Sequence, residues 1–166
     1  MLPAEILARA PVVLDAFRAR GWKLATAESC TGGLIAAALT SVAGSSDVVE
    51  RGFVTYSNEA KTEMLGVAAA LISAHGAVSE EVAAAMAAGA LAHSHADVAV
   101  SVTGVAGPGG GTAEKPVGLV WFGCAVREGA METVSHMFAG DRAAVRAASV
   151  GVAFDLLRQR VRTSVT

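Results

Sequence analysis

The feature that most narrows the fold is a nearly unbroken apolar run, Asp97-Val98-Ala99-Val100-Ser101-Val102-Thr103, which ends in Gly104-Val105-Ala106-Gly107-Pro108-Gly109-Gly110-Gly111. A run of strand length without polar alternation is what a strand buried on both faces requires. It is therefore expected at the centre of a sheet covered by helices on both sides. The glycine-dense segment after it suits neither helix nor strand and reads as a loop at that strand's carboxyl end.

The rest of the chain supplies the layers. Apolar residues Ile6, Leu7, Ala10, Val13, Leu14 and Phe17 recur at three- and four-residue spacing, predicting one helix over 3–20 that ends at Gly21. Residues 22–27 read as a short strand, and Thr31-Gly32-Gly33 opens a helix reaching about residue 43, so Ser29 lies in a strand-to-helix turn. A second such junction follows: a strand over 48–56, then Ser57-Asn58 capping a helix over 59–65 that Gly66 closes. A short helix over 68–74 and a longer one over 79–94 come next, with Glu80 and Glu81 in the first turn of the latter. Residues 117–126 and 131–138 form a hairpin through Glu128-Gly129, and Asp141 caps a last helix to about residue 161. Strands separated by helices, with two joined directly, predict an α/β fold: a three-layer α/β/α sandwich with a mixed, mostly parallel sheet of about five strands. Spanning 1–166 as one domain, such a sheet carries ligand loops at the carboxyl ends of its strands.

Composition excludes several functions. The 13 basic and 15 acidic residues are spread along the chain with a net charge of -2, leaving no basic surface for a nucleic-acid backbone. No apolar stretch reaches the roughly 20 residues of a membrane span, and Glu5, Arg9, Asp15 and Arg18 stand where a signal peptide needs an apolar core. A cytosolic location is expected. The two cysteines, Cys30 and Cys124, make neither a disulfide scaffold nor a metal-binding pair, and both are expected to be reduced. No His, Cys, Asp and Glu grouping has metal-ligand spacing, so no metal is predicted. A small, alanine-rich domain completes its core by self-association, and a homodimer is expected.

Three segments can carry chemistry. Ser29 precedes Thr31, Gly32 and Gly33, where two glycines admit a substrate close to the backbone and a helix N-terminus offers N–H groups to an oxyanion or phosphate. A helix cap serves the same spacing equally well. The four histidines are poorly placed as a base: His93 and His95 face apart on one helix, and His75 and His136 sit in unrelated segments. Tyr56-Ser57-Asn58-Glu59-Ala60-Lys61 offers Lys61 as a base, which requires its amine to be desolvated, with Tyr56 relaying the proton or holding the amine. An exposed helical lysine is the ordinary alternative. The loop holding Gly104, Gly107, Gly109 and Gly110 has the glycine density of an anion cradle without a Walker A or dinucleotide pattern. Arg142 and Arg146, four apart in the last helix, suit either a phosphate clamp or a solvated face.

Taken together, Ala27-Glu28-Ser29-Cys30-Thr31-Gly32-Gly33, Gly52-Phe53-Val54-Thr55-Tyr56-Ser57-Asn58, Lys61, Thr103-Gly104-Val105-Ala106-Gly107-Pro108-Gly109-Gly110 and Lys115-Pro116-Val117-Gly118 resemble the CinA C-terminal domain family in order and over nearly the whole chain. That family includes the nicotinamide-nucleotide amidohydrolases. The resemblance implies hydrolysis of the carboxamide of nicotinamide mononucleotide to nicotinate mononucleotide and ammonia, in pyridine nucleotide recycling, with no cofactor. It implies Ser29 as nucleophile, Tyr56 and Lys61 as its activators, and Thr31, Gly32, Gly33, Asn58, Thr103, Gly104, Gly107, Gly109 and Gly110 in substrate binding. Arg142 is assigned to the phosphate from its charge and helix position. Leu119 follows Gly118 where the family pattern suggests Thr. Two other readings stand beside this one: a nucleotide-binding or regulatory module without catalysis, and a thiol mechanism through Cys30 acidified at a helix N-terminus.

Overall fold

The computed structural model describes residues 2–163. Its element order is α1 (Ala4–Leu7), α2 (Ala10–Arg18), β1 (Leu24–Glu28), α3 (Leu34–Thr40), β2 (Val49–Val54), α4 (Asn58–Leu65), α5 (Ala69–His75), α6 (Glu80–Ala92), β3 (Val98–Gly104), β4 (Leu119–Val126), β5 (Met131–Met137) and α7 (Arg142–Thr163), with a short 3-10 turn at Ser45–Asp47. The five strands form one sheet in the order β2-β1-β3-β4-β5. β1 pairs parallel with β2 and β3, while the β3–β4 and β4–β5 pairs are antiparallel. Four strands thus run one way and β4 alone runs the other. Among the described residues no helix is long and apolar enough to cross a membrane.

The run 97–103 forms β3, inside the sheet, and its two faces meet different helices. Val98, Val100 and Val102 join the larger core with α2, α3 and α7, through Phe17, Leu39, Phe154 and Leu157, and with Phe122 of the neighbouring β4. Ala99, Ser101 and Thr103 alternate onto the α6 side, where small side chains let an alanine-rich helix lie close to the sheet. Ser101 Oγ donates to the Ala83 carbonyl at 2.5 Å, and a Cβ at Gly123 would lie 2.5 Å from the same oxygen. The second core, of Phe53, Leu65, Ile72, Val82 and Met86 among others, fills the space under α4, α5 and α6.

The helix expected over 3–20 is two helices. Pro11 has no N–H to return to the Leu7 carbonyl, so the first segment stops and α2 restarts with Pro11 in its first turn. The capping at the second strand-to-helix junction follows the sequence: Ser57 Oγ accepts from the Ala60 N–H at 3.0 Å, and Gly66 ends α4 in the left-handed region with φ 69°. Asp141 likewise accepts from the Ala144 N–H at the start of α7.

Candidate active site

The loops after β1, β2 and β3 meet at one end of the sheet. Parallel register carries β1 beyond its last residue: the Ser29 N–H donates to the Val102 carbonyl at 2.9 Å, and the Thr55 N–H donates to the Glu28 carbonyl at 2.8 Å. Ser29 therefore stands beside Thr55 at the point where both strands end. Seven residues into that second junction, on the inner face of α4, Lys61 turns back toward the sheet and is 1% exposed. Its Nζ lies 3.0 Å from Ser29 Oγ and donates to the Thr55 carbonyl at 2.8 Å. Burial disfavours the ammonium and lowers the amine's pKa from its ordinary 10.5, against a weaker upward influence from Cys30. This is the environment in which a lysine acts as a base.

Around the pair lies a cleft of about 230 Å³ lined by Ser29, Cys30, Tyr56, Asn58, Lys61, Ala77, Val78, Thr103, Gly104, Ala106 and Arg142. Seven of the residues singled out in the sequence thus share the cleft with Ser29: Cys30, Tyr56, Asn58, Lys61, Thr103, Gly104 and Arg142. The Thr103 hydroxyl donates to the Ala77 carbonyl at 2.8 Å, tying the link between α5 and α6 to the cleft wall.

Tyr56 takes a different place from the one expected. It is 59% exposed, and its hydroxyl is the acceptor of a 2.8 Å bond from Arg142 Nη2. The Thr55 carbonyl, with Ser29, holds the amine instead, because the strand alternation that turns Thr55 inward turns its neighbour outward. Arg142 Nη1 also donates to the Gly107 carbonyl at 2.9 Å, so this guanidinium joins the loops after β2 and β3 at the rim. Arg146 is turned elsewhere: Nε donates to the Cys30 carbonyl and Nη2 to the Thr31 carbonyl, so it braces the Ser29 turn and forms no clamp with Arg142.

The expected free N-terminus of the helix after Ser29 is already occupied. Glu28, fully buried, accepts from the Ile35 N–H at 2.9 Å and the Ala36 N–H at 3.0 Å, one on each carboxylate oxygen. The Gly32 N–H donates to the Ser29 carbonyl at 3.0 Å. An acid at the last position of a buried strand was the available signal for this cap, and the apparent helix opening at Thr31 concealed it. Gly32 and Gly33 adopt φ of 57° and 96°, which lets the chain reverse between Ser29 and α3. Thr31 lies beneath this turn, its buried hydroxyl without a hydrogen-bond partner.

The glycine-dense loop folds mainly on itself. The Val105 N–H donates to the Leu119 carbonyl, the Gly118 N–H to the Val105 carbonyl and the Thr112 N–H to the Lys115 carbonyl, while Lys115 Nζ donates to the His75 carbonyl. Gly107 is buried beside Val117, and Gly109 and Gly110 are exposed and do not line the cleft.

Comparison with known proteins places this arrangement. The profile of the CinA C-terminal domain matches residues 7–161. The chain belongs to the CinA C-terminal domain family. Within the family it is 50% identical to the nicotinamide-nucleotide amidohydrolase PncC of Escherichia coli (strain K12) over 160 residues, 96% of this chain and 97% of that protein. It is 59% identical to the protein of the same name from Enterobacter agglomerans over 131 residues, 79% of this chain and 80% of that one. The crystal structure of competence/damage inducible protein CihA from Agrobacterium tumefaciens matches with a TM-score of 0.94 at 47% identity, covering 98% of this chain and 99% of that chain. The fold is thus shared with that crystal structure over essentially its whole length.

Proposed function

We propose that this CinA-family domain is a serine amidohydrolase that converts nicotinamide mononucleotide and water to nicotinate mononucleotide and ammonia, acting in the cytosol in pyridine nucleotide recycling. The substrate is taken from the names of the two PncC relatives. The observation that carries the chemistry is the 3.0 Å separation of Lys61 Nζ from Ser29 Oγ in a buried setting.

Neutral Lys61 removes the hydroxyl proton as Ser29 Oγ bonds to the amide carbonyl carbon. The tetrahedral oxyanion is met by the N–H of Cys30, which lies in the cleft wall and donates to no backbone carbonyl, whereas those of Gly32, Ile35 and Ala36 are already engaged. The Lys61 proton passes to the leaving nitrogen, the carbon–nitrogen bond breaks, and ammonia departs from an acyl-Ser29 ester. Lys61 then takes a proton from water as it attacks the ester carbon, the bond from that carbon to Ser29 Oγ breaks, and Lys61 returns the proton to Oγ as the nicotinate product leaves. Arg142 and Asn58 stand at the mouth of the cleft, with Arg142 suited to the phosphate and its bond to Tyr56 fixing its position. No cofactor enters this sequence of steps.

A cysteine mechanism is disfavoured by the same surroundings. Burial pushes the Cys30 thiol up to about 11, a shift that Arg146 and Lys61 only partly oppose, so the thiolate is scarce near neutral pH. The test is ammonia release from nicotinamide mononucleotide. Ser29→Ala should lower it by about 10³-fold or more while Cys30→Ala leaves it within about tenfold. Unaltered turnover in Ser29→Ala, or no release by the unmodified chain, would reject the proposal.

A further inference from the structure

The two edges of the sheet are built differently. β2 carries Glu50, Arg51 and Gly52, and its pairing with β1 is irregular between Leu24 and Ala25. Charges and register breaks of this kind keep an edge from adding another strand. β5, the opposite edge, has no proline, no lysine, no glycine and an unbroken register from Met131 to Met137.

Its free side can be read from the ladder. The Val126 N–H donates to the Ala130 carbonyl and the Phe138 N–H to the Gly118 carbonyl, so the even-numbered residues of β5 bond to β4. Met131, Thr133, Ser135 and Met137 turn their N–H and C=O groups outward, where no described residue bonds to them. Met131 is 43% exposed and Met137 58%.

The strand sequence Met131-Glu132-Thr133-Val134-Ser135-His136-Met137 is chemically palindromic about Val134. We propose that β5 pairs antiparallel with β5 of a second copy about a two-fold axis at Val134, joining two five-stranded sheets into one. In that register Met131 faces Met137 of the second copy and Thr133 faces Ser135, and each of these pairs exchanges two outward backbone hydrogen bonds. Glu132 faces His136, a carboxylate opposite an imidazole, which bonds it in either protonation state of the ring. Glu132 already accepts from Arg160 and retains lone pairs for this second donor. His136 is held in position by stacking on Phe138, with centroids 5.5 Å apart and planes at 4°. A shift of two residues either way places a methionine opposite a small polar residue and separates Glu132 from His136, so the pattern selects one register.

The test combines mass in solution with cross-linking of the full chain. The unmodified protein should give twice the mass of the 16.7 kDa chain by light scattering. Ser135→Pro removes an outward N–H without taking a bond from β4 and should shift the mass to that of one chain. Independently, Val134→Cys should form an intermolecular disulfide under mild oxidation, because residues opposite one another in a non-hydrogen-bonded pair lie within disulfide reach. Met131→Cys, displaced from the axis, should not. A monomeric unmodified chain, a Ser135→Pro variant that folds and remains dimeric, or a Val134→Cys variant that does not cross-link would each overturn the proposal.

Discussion

Lys61 is the largest charged side chain in the interior, and its surroundings make it a base because they leave its ammonium without a counter-charge. Its two contacts, the Ser29 hydroxyl and the Thr55 carbonyl, are both neutral. On the proposed mechanism only the neutral amine is active, so kcat/KM should rise with pH along a limb whose midpoint lies below the ordinary lysine value of 10.5. A pH–rate profile flat through that region would contradict the assignment of Lys61. The same shift acts on stability. Burial lowers the pKa only in the folded chain, so between the lowered value and 10.5 the unfolded chain alone holds the proton. Folding stability from this group should therefore rise with pH across that window and be flat on either side of it. Lys61→Met should abolish both the activity and this rise, read by denaturant titration at a series of pH values. Glu28 shows the opposite arrangement, a buried carboxylate whose two oxygens each accept a backbone N–H. Glu28→Ala leaves both donors buried and unpaired, and should lower the unfolding free energy by about 2–5 kcal/mol and slow turnover by loosening the Ser29 turn. Glu28→Gln, which still accepts one bond, should fall between that variant and the unmodified chain.

At the level of elements, the site depends on how closely α4 approaches α6. Gly89 lies inside α6, where alanine would ordinarily add about 1 kcal/mol of helix stability. A Cβ there would stand 2.0 Å from the Leu65 carbonyl oxygen at the end of α4, and backbone cannot yield as a side chain can. Gly89→Ala should therefore destabilise the protein by about 1–3 kcal/mol, measured by denaturant titration, and should lower activity by moving the helix that carries Lys61. Most elements were legible because their signals are local: Ser57 and Gly66 bracket α4, Ser79 opens α6, and the unalternating run 97–103 is a covered strand. The break between α1 and α2 was equally local, since Pro11 announces it, yet the apolar spacing running through it suggested one helix. The occupation of the α3 N-terminus by Glu28 was not visible, because helix-start signals at Thr31 and the glycines look the same whether a substrate or a buried acid meets the N–H groups.

For the whole molecule, the β5 pairing ties stability to concentration. A dimer that forms only from folded chains raises the melting temperature as protein concentration rises, by mass action. That dependence should be present in the unmodified protein and absent in Ser135→Pro, a comparison that calorimetry over a hundredfold concentration range can make. The layered architecture was readable in the order of the strands and helices, since a fully apolar strand needs a helix layer on each face whatever else surrounds it. The sequence alone determined the strand-to-helix turns, most of the caps and the segment holding each reactive group, because periodicity, glycine conformation and side-chain capping act over a few residues. Only the tertiary structure decided which of those groups meet. Ser29 and Lys61 are joined by the parallel pairing of β1 with β2 and by the depth of α4 against α6, Tyr56 is turned outward by alternation, and Arg142 and Arg146 diverge to separate carbonyls. Distances between residues far apart in the chain are set by register and packing, which no local pattern encodes.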